Sequence, residues 1–402
     1  MRQRCDTYYG LPEEVLFCKR CVMSNQRPSS YPEFRHTKDR KAPTLHIDAE
    51  GVCDACRYAQ RKEQIDWEQR ERELLALLDT FRRSDGAYDC ICPGSGGKDS
   101  VYASHLLKYK YGMNPLTVTW PPILYTDYGH ANFRRWIENG GFDNISFKPN
   151  GRVQRLLTRL SIENLLHPFQ TFILGQKNLA PKIALKYKIP LIFYGESEAE
   201  YGNPIAETQT SLRDKSYYAM EHLGEVTLGG VAVPDLIERY GVSPADLAVY
   251  LPAAHTELAA GQIEVHYLGY YKKWTPQEAY YYSVENVGFQ ARPFRSEGTY
   301  SKYNSIDDKI DDLHYYTTYC KFGLGRASYD ASQEIRNRHI TRDEGVALVH
   351  RFDGEFPERY LQDILDYLEL GRDSFIELCE KARSPHLWDR VDGTWRLRHK
   401  VS

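Results

Sequence analysis

The chain has 402 residues, which is enough to bury a large core and to form two or three domains. Its 52 Lys and Arg residues are offset by 55 Asp and Glu residues, and the resulting formal charge of −3 argues against a protein whose main ligand is nucleic acid. No apolar run approaches a membrane span in length, and Glu13 and Glu14 stand where a signal peptide needs apolar residues. We therefore expect a cytoplasmic protein with no membrane partner.

Two short cysteine motifs dominate the first 60 residues. Cys18 and Cys21 form one Cys-x-x-Cys pair, and Cys53 and Cys56 form a second. Each pair presents two thiolates from one tight turn, and two such pairs complete a tetrahedron around Zn²⁺. An iron–sulfur cluster and a redox dithiol are the alternatives. Paired cysteines in a reducing compartment favour a metal, so the sequence predicts a structural zinc module over residues 1–62.

Apolar runs alternate with helical patterns in the next part of the chain. Asp66 is a candidate N-cap for the first helix, and Pro181 is expected to kink or shorten the last one. The predicted helices cover residues 66–83, 101–110, 131–139, 153–164 and 170–187. The predicted strands cover residues 89–92, 116–120, 144–147 and 191–194. This alternation predicts an α/β domain over residues 63–225, with a parallel sheet and helices on both faces.

The remainder of the chain, residues 226–402, reads as a mostly helical region that binds the substrate or a partner. Pro276 follows Thr275 as a first-turn proline, and Thr341 with Glu344 forms a capping box. The last two predicted helices cover residues 358–370 and 374–382.

A glycine-rich loop separates the first predicted strand from the helix that follows it. Its residues are Ser95, Gly96, Gly97, Lys98, Asp99 and Ser100. Backbone N–H groups of such a turn point into one concavity, and the helix start adds its positive end, so this order of elements predicts an anion cradle. A Walker A loop is excluded because Cys92 and Asp99 replace its first glycine and its hydroxyl residue. Ligands of parallel sheets bind at the carboxyl ends of the strands, where residues 195–202 also fall.

The cysteine pairs, the glycine-rich loop and several further sequence strings together resemble a known family. The loop resembles the pyrophosphate loop of the PP-loop ATP pyrophosphatases. The whole chain resembles the N-acetyl sugar amidotransferases of bacterial lipopolysaccharide, O-antigen and other surface-glycan biosynthesis. Besides the loop and the cysteine pairs, the strings that carry this resemblance are 195–202 (GESEAEYG), 267–274 (YLGYYKKW), 306–309 (IDDK), 321–327 (KFGLGRA) and 353–357 (DGEFP).

The resemblance implies an ATP-dependent conversion of an acetamido group on a nucleotide-linked sugar into an acetamidino group. AMP would be transferred to the amide oxygen, pyrophosphate would leave, and ammonia would displace the AMP. Lys98 and the loop N–H groups would hold the pyrophosphate, Asp99 would bind Mg²⁺, and the hydroxyls of Ser95 and Ser100 would donate to phosphate.

Further candidates lie outside the loop. Glu196, Glu198 and Glu200 follow the 191–194 strand, so at least one of them is expected to face the ATP or the ammonia as a general base, with Glu196 and Glu200 as the candidates and a solvated acidic loop as the alternative. Lys321 and Arg326 are candidates for binding a phosphate or carboxylate of the substrate, with surface salt bridges as the alternative.

No cysteine stands in the context of a glutaminase nucleophile, so the nitrogen is expected from free ammonia or from a separate glutaminase. The resemblance implies glutaminase and ammonia-channelling cyclase-like subunits as partners. Two other functions stay open, a tRNA-thiolating enzyme and a non-catalytic scaffold that binds zinc and nucleotide. The net negative charge and the absence of a second, C-terminal knuckle pair argue against the first, and the intact loop argues against the second.

Overall fold

The computed structural model describes residues 6–41, 43–202 and 209–402. In chain order the strands are β1 Cys90–Pro93, β2 Pro115–Thr119, β3 Asn144–Ser146, β4 Leu191–Tyr194, β5 Ala219–Met220, β6 Thr227–Leu228, β7 Val231–Ala232, β8 Ala253–Ala254, β9 Glu264–Tyr267, β10 Trp388–Val391 and β11 Thr394–Leu397.

The helices follow the same order. They are α1 Asp54–Lys62, α2 Trp67–Phe81, α3 Lys98–His105, α4 Asp127–Glu138, α5 Gly151–Leu165, α6 Gln170–Tyr187, α7 Val233–Tyr240, α8 Pro244–Ala248, α9 His255–Ala260, α10 Leu268–Tyr271, α11 Pro276–Val287, α12 Ile310–Phe322, α13 Arg326–Arg336, α14 Arg342–Phe352, α15 Leu361–Leu368 and α16 Arg372–Lys381. Short 3₁₀ turns at Glu33–Arg35, Glu198–Tyr201, Lys215–Tyr217 and Leu223–Glu225 and a π turn at Leu106–Lys110 complete the set.

A parallel sheet of five strands forms the centre of the molecule, in the order β3-β2-β1-β4-β9. The α/β fold with helices on both faces of a parallel sheet is confirmed, and all four predicted strands are present. The fifth strand, β9, was not predicted, because its run of four residues lies in a region that reads as helical. It pairs with β4 along its whole length. Strand order reverses between β1 and β4, which places a crevice outside their carboxyl ends.

The two faces of the sheet take alternate residues of each strand. Ile91 and Ile192 face a core built with α5 and α6, while Cys90, Cys92 and Phe193 face a second core with α2, α3 and α11. Cys90 and Cys92 are therefore small apolar side chains buried in a central strand.

The helix ends follow the capping residues in the sequence. The Asp66 carboxylate accepts a hydrogen bond from Gln69 N at 2.9 Å, and Thr275 and the Thr341–Glu344 box cap α11 and α14 as predicted. Helix α6 covers the predicted residues and runs through Pro181 to Tyr187, so of the two expected effects of this proline, a kink or a shortening, the shortening does not occur. Pro181 and its neighbours are buried where α6 packs against the sheet, and this packing offsets the loss of the backbone hydrogen bond that proline cannot make.

The N-terminal segment packs against the helical C-terminal region. The four paired cysteines share a buried cluster with Leu324, and the Tyr9 hydroxyl donates a hydrogen bond to the Ala382 carbonyl oxygen at 2.9 Å. The chain ends in the hairpin β10–β11, which the sequence pattern did not predict.

Among the described residues, no helix has both the length and the apolarity to cross a membrane.

Candidate active site

The glycine-rich loop connects β1 to α3 at the crevice of the sheet. Gly96 has φ +86°, and a Cβ atom there would lie 2.6 Å from the Cα atom of Phe133 on α4. Only glycine fits this position, because both the backbone conformation and the space exclude a side chain. Gly97 is the N-cap of α3, so the first N–H groups of that helix face the loop.

Lys98 and Asp99 form an ion pair at the start of α3. The Lys98 ammonium lies 2.5 Å from Asp99 Oδ2, and the indole N–H of Trp274 donates to Asp99 Oδ1 at 3.1 Å. Lys98 is 8 % exposed, and its nitrogen lies 5.6 Å from the centre of the Trp274 ring. Trp274 thus contacts both charged side chains of the loop and helps to orient them. It belongs to the 267–274 string, none of whose residues was given a role from the sequence.

Glu196 follows β4 and reaches the crevice beside the loop. Its carboxylate accepts a hydrogen bond from the Tyr201 hydroxyl. Burial, reinforced by the nearby negative charge of Asp99, raises the pKa of Glu196 to about 7. A carboxyl group with this pKa can exchange a proton near neutral pH.

The two other acidic residues of this string are held by cations. Glu200 is buried and its carboxylate accepts a hydrogen bond from the Lys62 ammonium, away from the cavities that the loop lines. Glu198 Oε1 lies 2.6 Å from Arg213 Nη2. Burial opposes ionisation of Glu198, but the positive charges of Arg213 and Lys177 outweigh it and lower its pKa to about 2.

The structure places Lys321 and Arg326 in different cavities. Arg326 faces the loop, and its Nε lies 2.8 Å from Asp330 Oδ1. Lys321 is buried, donates to the Leu165 carbonyl oxygen at 2.7 Å, and lines a separate cavity. Burial lowers the pKa of Lys321 to about 8. The two side chains therefore do not form one anion site.

Two cavities meet at the glycine-rich loop. The first, here the loop cavity, has a volume of about 380 Å³. The loop, Glu196 and Trp274 form one part of its lining. Residues from the C-terminal region form another part, and these are Tyr303, Asn304, Ser305, Ile306, Asp307, Arg326, Tyr329, Asp330 and Gln333.

The second, here the strand-end cavity, has a volume of about 470 Å³ and is also lined by residues of the loop. Val118, Trp120, Leu179 and Ala180 give it an apolar wall. Both cavities are lined by Ser95, Gly97, Asp99, Gln176, Glu196 and Tyr201.

Asp307 and Asp308 take separate positions. Asp307 lines the loop cavity. Asp308 is buried and its carboxylate accepts hydrogen bonds from the backbone N–H groups of Ile123, Leu124 and Ile310, at 2.5, 3.2 and 3.0 Å. Asp308 thus ties the start of α12 to the segment that follows β2.

The four paired cysteines converge as predicted. The sulfur atoms of Cys18 and Cys56 lie 3.8 Å apart, and those of Cys21 and Cys53 lie 3.7 Å apart. A tetrahedral zinc ion with metal–sulfur bonds of about 2.3 Å requires sulfur–sulfur distances of about 3.8 Å. All four side chains are buried, so this group can hold zinc.

The fold is that of an α/β protein with a glycine-rich loop at the crevice of its parallel sheet, and comparison with known proteins adds a biological context. Residues 297–402 match the family model of the "LPS biosynthesis protein WbpG-like, C-terminal domain". The C-terminal region is therefore of a type found in lipopolysaccharide biosynthesis, which indicates a role in making glycans. An uncharacterized protein of Methanocaldococcus jannaschii is 35 % identical over 83 residues, which cover 21 % of this chain and 29 % of that protein. The match thus spans less than a third of that relative's length.

Proposed function

We propose that this chain is an ATP-dependent enzyme of surface-glycan biosynthesis that converts the acetamido group of a nucleotide-linked sugar into an acetamidino group. One observation carries the proposal. The loop cavity is lined both by residues of the SGGKDS loop and by residues that belong to the part of the chain matched by the lipopolysaccharide-biosynthesis family model. A site that joins these two walls brings an ATP phosphate next to a sugar substrate.

The two cavities suit the two halves of ATP. The apolar wall of the strand-end cavity, with Trp120, fits the adenine ring, and the loop between the cavities then receives the phosphates. Backbone N–H groups of the loop and the Lys98 ammonium bind the phosphate oxygens and offset the charge of the departing pyrophosphate. The Asp99 carboxylate offers oxygen ligands of the kind that Mg²⁺ prefers, and the ion would neutralise phosphate charge there.

The chemistry follows from the weakness of an amide as an electrophile. The acetamido oxygen attacks the α-phosphorus, and the bond to the pyrophosphate breaks. Ammonia then adds to the resulting imidate carbon, the carbon–oxygen bond breaks, and AMP leaves with the former amide oxygen. The new amidine gains NH, and one proton from the attacking nitrogen must be removed.

Glu196 is our candidate for the base that removes this proton. It lines both cavities, and its pKa of about 7 lets it accept a proton at neutral pH and release it again. Glu200, held by Lys62, is assigned a structural role, and Arg326 is assigned to the sugar side of the loop cavity.

The nitrogen is proposed to come from separate glutaminase and ammonia-channelling cyclase-like subunits. Cys90, Cys92, Cys320 and Cys379 are all buried, so among the described residues no cysteine outside the metal group is exposed to attack glutamine. The four-cysteine group is proposed to hold a structural zinc ion.

The purified chain incubated with ATP, Mg²⁺, ammonium chloride and acetamido sugar nucleotides tests this function. We expect pyrophosphate release that depends on the sugar nucleotide, and a product in which one oxygen is replaced by NH, measured by mass spectrometry. Sugar-independent ATP cleavage, or sulfur transfer to added tRNA, would contradict the proposal.

A further inference from the structure

A third cavity adjoins the site and contains a cluster of histidines that the proposed chemistry does not use. This histidine cavity has a volume of about 500 Å³ and is lined by Glu33, His36, His167 and His314. Ser30, Glu33 and Ile173 line both it and the strand-end cavity. Glu33 therefore lies at the boundary between the histidine cavity and the proposed ATP site.

Three side chains of this cavity converge on one point. His36 Nδ1 lies 3.2 Å from Glu33 Oε2, and His167 Nε2 lies 3.8 Å from Glu33 Oε1. One nitrogen or oxygen atom from each of the three residues lies within 4.8 Å of those of the other two. A tetrahedral zinc ion bound at about 2.1 Å would separate such atoms by about 3.4 Å, a value between the two measured distances.

The backbone holds these three residues in place from separate parts of the chain. Glu33 begins a 3₁₀ turn, and its carbonyl oxygen accepts a hydrogen bond from Gln170 Nε2 at 2.8 Å. The His36 carbonyl oxygen accepts one from Thr227 Oγ1 at 2.8 Å. His167 follows α5, and its N–H donates to the Ser161 carbonyl oxygen at 3.1 Å. The three ligand positions are thus fixed by contacts that do not involve their side chains.

We propose that Glu33, His36 and His167 form a second metal site, which binds Zn²⁺ or a similar divalent transition metal. Two imidazoles and one carboxylate are the protein ligands of open metal sites. Such sites keep the fourth coordination position for water or a substrate group. That position opens on the histidine cavity. Lys321 and Arg40 line the same cavity, so a negatively charged group bound to the metal would complete the charge balance.

Metal analysis of the full-length chain tests this inference without any activity assay. After zinc loading and removal of excess metal, we expect two equivalents of zinc in the wild-type chain, and one in the Glu33→Gln and His167→Asn variants. His46→Asn is the matched control, because His46 also contacts a carboxylate, Asp54 at 3.1 Å, but among the described residues it belongs to no group of three ligands. That control should keep both equivalents.

Cobalt substitution gives a second readout that does not depend on the variants folding. A four-thiolate site produces intense sulfur-to-cobalt charge-transfer bands, whereas a nitrogen and oxygen site produces only weaker visible bands. Titration of the metal-free wild-type chain should show both sets and end at two equivalents. Saturation at one equivalent, with thiolate bands only, would overturn the proposal, as would retention of two equivalents in both site variants.

Discussion

The Lys62 ammonium, at the end of α1, donates hydrogen bonds both to the Glu200 carboxylate and to the Trp274 carbonyl oxygen. One buried cation thus joins the helix that carries Cys56, the acidic string after β4, and the residue whose indole ring orients Asp99. The side chains of Lys62 and Glu200 are only 4 % and 6 % exposed. Through these contacts of Lys62, the segment with the four paired cysteines (here the cysteine module) supports the proposed ATP site.

Removing one partner of this pair should destabilise the fold strongly. Lys62→Met leaves the Glu200 carboxylate buried without its cation, and we expect the free energy of unfolding to fall by about 3–5 kcal/mol. Adding Glu200→Gln to Lys62→Met should recover part of that loss. Arg134→Met serves as the control, because Arg134 and Glu138 form an exposed pair whose loss should cost less than about 1 kcal/mol. Urea unfolding measures the free energy of unfolding of the two single variants and the double variant. Equal losses for the buried and the exposed pair would contradict the structural role of Lys62.

Loss of either charged side chain of the loop should abolish most ATP turnover. Lys98→Ala removes the cation proposed to stabilise the departing pyrophosphate, and we expect pyrophosphate release to fall by about 100-fold or more. Asp99→Asn should act in the same direction and raise the Mg²⁺ concentration needed for half-maximal rate. Lys182→Ala is a suitable control, because Lys182 is a half-buried lysine that lines neither the loop cavity nor the strand-end cavity and donates to the Ala248 carbonyl oxygen. If the Lys98→Ala variant released pyrophosphate at the wild-type rate, the loop would have no part in the proposed mechanism.

A methyl group on Gly96 should disable the loop without touching a charged group. Gly96→Ala meets the α4 backbone at Phe133 and forces a left-handed conformation on alanine, so the loop must shift. We expect much weaker ATP binding by calorimetry. Gly151→Ala, where the added Cβ meets nothing within 4 Å, should bind ATP normally. Equal ATP affinities in the two variants would show that the phosphates bind elsewhere.

The rate should depend on pH through Glu196. Burial and the charge of Asp99 raise its pKa to about 7, so the carboxylate form needed by a base is lost as pH falls through 7. We expect kcat/KM for ammonium, calculated from the free ammonia concentration, to increase with pH up to a plateau above about 7. Glu196→Gln should lower the plateau and remove this dependence. An unchanged pH profile in Glu196→Gln would assign the titration to another group.

Zinc loss should weaken the ATP site from a distance. Gly202 ends the acidic string, and a Cβ there would lie 2.6 Å from Leu45 and 3.1 Å from Ala55, so the string packs directly on the cysteine module. Cys53→Ser should therefore remove the thiolate-bound metal, lower the melting temperature and reduce pyrophosphate release. Cys379→Ser, a buried cysteine outside the group, should retain the thiolate-to-cobalt bands.

The parts of the site that sequence could predict are those made by local chain geometry. The loop, its position after a strand and the pairing of Cys18, Cys21, Cys53 and Cys56 follow from short spacings, and the structure shows each of them. Strand β9 was missed because four residues carry too little periodicity, although the 267–274 string that follows it was singled out. The separation of Lys321 from Arg326 was also unpredictable, because they lie on different helices, α12 and α13, whose packing decides the direction of each side chain.

The cluster of Glu33, His36 and His167 could not be predicted from the sequence for the same reason. Glu33 and His36 are close in sequence, but His167 joins them only through the packing of α5 and α6 against the N-terminal segment. No spacing rule links residues 33 and 167. A search for histidines beside predicted helix ends would have found His167 without its partners.

The cysteine module shares its buried cluster with Leu324, and Arg342 donates a hydrogen bond to the Cys18 carbonyl oxygen at 3.5 Å. A chain emerging from the ribosome presents Cys18 and Cys56 long before these contacts exist. The thiols therefore spend most of synthesis without the surface that finally covers them. Early metal capture would protect them from oxidation during that interval, so zinc supply during translation should govern the yield of folded protein.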